Sequence, residues 1–199
     1  MRNVGIVIGH NAIAKGAYFA SIKQNEFDYY KDVVGLLTQA WNEKYFDTDI
    51  PRDEVLNLVF FEREYCGSYT KEMKKLVRDI HDKAESMKQP FDLIIELHFN
   101  ASDSPSANGT EVLAYEKSSK GILYAKMFNN VMVTDFGQYK RGVKLIKSAS
   151  DRGGFGIMKC RYPYILIEPF FCTNETDGER FKNKSKLANS ILDFIEEAL

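Results

Sequence analysis

Six short runs of apolar residues, rich in β-branched and aromatic side chains, punctuate this chain. They are NVGIVIG (3–9), VLNLVFFE (55–62), FDLIIELH (91–98), GTEVLAY (109–115), GVKLIK (142–147) and YPYILIEPFF (162–171). All six read as strands, and NVGIVIG and FDLIIELH as strands buried on both faces. Between them the spacing changes to that of helices. Val33, Val34, Leu37 and Trp41 share one face of a helix over 26–41, and Met73, Leu76, Val77, Ile80 and Ala84 share one face of a longer helix over 69–87. Two more helices are predicted over 118–133, capped by Ser118 or Ser119, and over 184–199. The glycine-rich stretch SASDRGGFG (148–156) reads as a loop. Strands alternating with helices dictate an α/β fold, a mostly parallel twisted sheet of about six strands flanked by helices on both faces.

With 199 residues, 44% of them hydrophobic, and no linker-like or repeated stretch, the chain reads as a single domain over 1–199. A net charge of −1 argues against nucleic-acid binding through a broad basic field. No apolar run approaches the ~20 residues needed to cross a bilayer, so membrane insertion is not expected. Arg2 is followed by too few apolar residues for a secretory leader, and the expectation is a chain made in the cytoplasm. The three cysteines are widely spaced with no CxxC pair, which suits free thiols.

Three of the apolar runs end on a residue able to bind metal or move protons: His10, His98 and Glu168. Both histidines are followed within two residues by an asparagine, Asn11 or Asn100. In open α/β sheets ligands bind at the carboxyl ends of the strands. If these strands are parallel neighbours, all three side chains converge on one edge. Two imidazoles, one carboxylate and an open position make a catalytic zinc set, and a further carboxylate outside the metal shell can carry the proton. Glu168 is one candidate acid. Glu26, at the head of the first helix, is another, and Glu96, two residues before His98 on the same strand face, is a third. His81 lies among Arg78, Asp79, Asp82 and Lys83 in a helix and reads as a solvated surface residue.

At these residues the sequence resembles the zinc-dependent N-acetylmuramoyl-L-alanine amidases of bacterial autolysins and phage endolysins. The similarity runs in order through GIVIGHN (5–11), NEFDYYKDVVGLL from Asn25, ELHFNAS (96–102), SANGTEV (106–112), GVK (142–144) and YILIEPFFCTNETD (164–177). It implies one zinc per chain held by His10, Glu26 and His98, with no other cofactor, and Glu168 as the catalytic glutamate. It also implies peptidoglycan as substrate, cut between the lactyl group of muramic acid and L-alanine. Asn100 falls at the family's asparagine position, and Asn108 and Arg152, on loops at the same edge, are candidate substrate contacts. The chain departs from the family in having Asn11 and Ala12 where a glycine pair is common, and Glu96 where a small residue is common. With no leader expected, the resemblance suits an endolysin or autolysin released through a membrane lesion or by cell lysis. The competing readings are a related zinc carboxypeptidase or deacylase acting on another amide, and a wall-binding module without activity.

Overall fold

The computed structural model describes residues 1–45 and 55–199. Strand β1 (Arg2–Ile8) leads through a two-stranded hairpin, β2 (Tyr18–Phe19) and β3 (Gln24–Asn25), into helix α1 (Glu26–Tyr45). Strand β4 (Leu56–Glu62), helix α2 (Tyr69–Met87), strand β5 (Leu93–Leu97) and strand β6 (Thr110–Tyr115) follow. Helix α3 (Ser119–Phe136), strand β7 (Lys140–Ile146), helix α4 (Gly154–Lys159), strand β8 (Tyr164–Glu168) and helices α5 (Glu175–Phe181) and α6 (Lys184–Ala198) complete the order. The expected α/β architecture is present. Six strands form one sheet in the order β4-β1-β5-β8-β6-β7, parallel throughout except where β6 meets β8.

The period of two in the strands divides the core into two layers. Val4, Ile6 and Ile8 of β1 pack with α1, α3 and α6, whereas Val7 packs on the other face with α2 and α4. Helices therefore cover both faces, which is why β1, β5 and β8 are almost wholly apolar. Ser118 caps α3, its side chain accepting a hydrogen bond from the Gly121 N–H, as the sequence implied.

Several features differ from the sequence expectation. Residues 154–156 are not loop but the first turn of α4. Helix α5, capped by the Asn174 side chain on the Asp177 N–H, lies in a stretch to which the sequence assigns no element. Helices α1 and α3 run on to Tyr45 and Phe136, past the expected ends. The last strand is also shorter than the apolar run that contains it, because Pro169 cannot donate to the ladder.

What matters for function is the centre of the sheet. Strands β1, β5 and β8 lie side by side and parallel, with Ile8 in register with Leu97 and Leu97 with Ile167. Their carboxyl ends therefore stop at the same level.

Candidate active site

His10, His98 and Glu168 all emerge at this common edge. Beyond β1 the ladder continues for one bond, from the Gly9 N–H to the Leu97 carbonyl at 3.0 Å, and then breaks. His10 adopts a positive φ of 65°, turning the chain out of the strand direction. Such a conformation in a residue with a side chain is uncommon and must be held by its surroundings. Asn11 does much of that holding. Its side-chain oxygen accepts from the N–H groups of Ile13 (3.0 Å) and Ala14 (2.7 Å), and its amide donates to Glu72 at 3.0 Å. The loop then returns over His10 to the head of α1, delivering Glu26 at the first helical position.

Glu26 sits between the two histidines. Its Oε1 lies 2.9 Å from His98 Nδ1 and its Oε2 lies 3.2 Å from His10 Nε2. The Phe99 and Ala17 N–H groups also donate to this carboxylate, at 2.9 and 3.3 Å. Burial pushes its pKa up, but hydrogen bonds to His10 and His98 outweigh that and hold it down at about 2. The start of a 20-residue helix is itself a favourable place for negative charge. The imidazoles of His10 and His98 meet edge to face, 4.9 Å between centroids. One ligand atom from each of His10, Glu26 and His98 can be chosen so that all lie within 4.8 Å of one another.

The surroundings are shaped for this cluster. A Cβ at Gly9 would lie 2.4 Å from His98 Cε1, and one at Gly16 would lie 2.6 Å from His10 Cδ2. An ionised carboxylate between two imidazoles is the donor set a divalent ion of zinc's type takes, leaving a further position open. The residues present fit such a metal.

Glu168, last residue of β8, lines the same cavity of about 500 Å³. Its Oε1 accepts from Arg152 at 2.7 Å, while its buried Oε2 has no hydrogen-bond partner. Burial raises its pKa to about 7, against the lowering pull of Arg152 and His98. Arg152 also donates to Asn100 Oδ1 at 3.0 Å, and the Asn100 amide donates to Glu111 at 3.0 Å. Asn100 is therefore a buried brace for Arg152, and Ser150 to Gly153 form one wall of the cavity.

Asn108 is not brought to this cavity. It lies on a separate depression with Gln138, Asp177 and Arg180. His81 is half-buried and accepts a hydrogen bond from the Arg161 N–H at 3.2 Å, so it is not a fully solvated residue. Glu96 lines the same cavity although only 2% exposed, bonded to His98 Nε2 and to the Tyr164 hydroxyl. Sequence reasoning passed over Arg63, Tyr69 and Tyr164, although the first two line the cavity and the third holds Glu96. A signal existed for Tyr164, which stands four residues before Glu168 on the same face of the strand. None existed for Arg63.

The sequence model of the N-acetylmuramoyl-L-alanine amidase family matches residues 4–197. A curated relative, N-acetylmuramoyl-L-alanine amidase LytC of Bacillus subtilis (strain 168), is 31% identical over 109 residues, 51% of this chain. The match spans only 20% of that relative's length. Among solved structures, the catalytic domain of the CD27L endolysin targeting Clostridia difficile superposes with a TM-score of 0.75 at 23% identity, covering 98% of this chain and 97% of that one. The catalytic domain of CwlV, an N-acetylmuramoyl-L-alanine amidase from Bacillus (Paenibacillus) polymyxa var. colistinus, gives 0.67 at 23% identity, covering 99% and 97%. These structural likenesses establish the fold.

Proposed function

Because the chain belongs to the N-acetylmuramoyl-L-alanine amidase family, we propose that it hydrolyses the amide joining the lactyl group of muramic acid to L-alanine in peptidoglycan, as a zinc enzyme. The observation that carries this reading is the convergence of His10, Glu26, His98 and Glu168 on one edge of the sheet. In this reading His10, Glu26 and His98 hold one zinc ion per chain. Zinc bound there would supply Lewis acidity, polarising a carbonyl and making water nucleophilic at neutral pH.

The remaining work falls to the protein. Glu168 has one oxygen tied to Arg152 and one bare. The bare Oε2 is the proton acceptor, taking a proton as water adds to the carbonyl carbon. The same carboxyl group then returns that proton to the departing L-alanine nitrogen as the C–N bond breaks. In this reading Arg152, held by Asn100 and Glu168 but two-thirds exposed, meets a substrate carboxylate; its exposure and its position in the cavity wall support that role.

Metal analysis tests the zinc reading. One zinc per chain is expected in wild type, lost together with activity in His98→Ala and Glu26→Ala, because two remaining ligands rarely hold zinc tightly. Full zinc content in His98→Ala would show that the centre lies elsewhere.

A further inference from the structure

His98 is held by carboxylates on both ring nitrogens. Nδ1 lies 2.9 Å from Glu26 Oε1, and Nε2 lies 3.1 Å from Glu96 Oε1. The two nitrogens face different ways, so Glu96 approaches the imidazole from the flank away from Glu26. Glu96 is itself fixed. The Tyr164 hydroxyl donates to its Oε2 at 2.8 Å, and both residues are only 2% exposed. A carboxylate in the middle of a covered sheet is costly to bury unless its oxygens are bonded. Here each oxygen has one dedicated partner.

This arrangement decides more than packing. A neutral imidazole carries one N–H and one lone pair, and a neighbouring hydrogen bond decides which nitrogen has which. An ionised carboxylate can only accept, so Glu96 demands the proton on Nε2. Nδ1 faces a second carboxylate, Glu26, and so also carries a proton in the metal-free chain; a metal held between Glu26 and His10 would take the place of that proton, using the Nδ1 lone pair while the Nε2 N–H stays on Glu96. We infer that Glu96, locked by Tyr164, is a positioning residue that sets the His98 tautomer and aims Nδ1 at the metal. The inference rests on the zinc-centre reading above. It also assigns the third candidate acid a place: Glu96 is neither a ligand beside Glu26 nor the proton carrier, but the support behind His98.

Groups of this kind typically contribute 10–100-fold to metal affinity. The test is a zinc dissociation constant, measured by competition with a chromophoric chelator, for wild type, Glu96→Gln and Tyr164→Phe. It is paired with ¹⁵N spectra of His98 in the zinc-loaded proteins. Glu96→Gln keeps the volume but removes the charged acceptor, and about 10–100-fold weaker binding is expected. Tyr164→Phe keeps the ring, guards against a folding failure at the buried glutamate, and is expected to weaken binding less, in the same direction. Wild-type His98 is expected to show a protonated Nε2. Wild-type affinity in both variants, or a protonated Nδ1 in the loaded wild type, would overturn the inference while leaving the zinc centre standing. Absence of zinc from wild type would instead remove the zinc-centre reading itself.

Discussion

Glu168 shows how much one side chain's setting decides. Its burial raises the carboxyl pKa to about 7 despite Arg152 and His98. A proton acceptor works only when ionised, so activity is expected to fall as pH drops through this region, with the acid limb of kcat/KM reporting Glu168. A bound dication would draw that limb to lower pH, while Arg152→Met, which removes a charge lowering the pKa, is expected to move it higher. An acid limb that ignores the Arg152 substitution would argue against this assignment. Glu168→Gln is expected to keep zinc content and melting temperature while turnover falls roughly 10²–10⁴-fold; near wild-type turnover would exclude Glu168 as the proton carrier. The positions of His10, His98 and Glu168 were legible in the sequence because apolar runs end on them. The spacing from Glu168 puts Tyr164 on the right face of its strand, but its bond to Glu96 on the neighbouring strand was not legible, because nothing local announces that pairing.

At the scale of elements, the connection from β1 to α1 is the most demanding piece of backbone. It carries a histidine at positive φ, an asparagine that ties two N–H groups, and Gly16 at a φ of 78° beside both His10 and Glu26. An alanine Cβ at position 16 would lie 2.7 Å from Glu26 Oε2 and would adopt a conformation that L residues disfavour. Gly16→Ala is therefore expected to weaken zinc binding clearly, by displacing ligands as well as straining the turn; unchanged affinity would show that the loop yields freely. Asn11→Ala strips three hydrogen bonds from a buried residue and is expected to cost about 1–3 kcal/mol in denaturant unfolding. The long helices and the strands were readable because each repeats its period several times. The β2–β3 hairpin, with two residues per strand, and the six-residue α4 are too short to show one. Helix α5 did carry a readable start, Asn174 three residues before Asp177, but its mostly polar sequence shows no apolar stripe.

For the whole molecule, the order of strands was beyond the sequence, though the alternation that produces it was not. The one antiparallel neighbour, β6, follows from the chain between Leu97 and Thr110, which forms no helix to cross back and so returns in the opposite direction. The result places three strand ends side by side over a cavity of about 500 Å³. The most direct test is a mass spectrum of purified peptidoglycan after digestion. An amidase leaves stem peptides with a free amino terminus on L-alanine and glycan strands whose muramic acid keeps its lactyl carboxylate. Release of terminal amino acids from otherwise attached stems, or no new amine under conditions where zinc is bound, would contradict the amidase assignment.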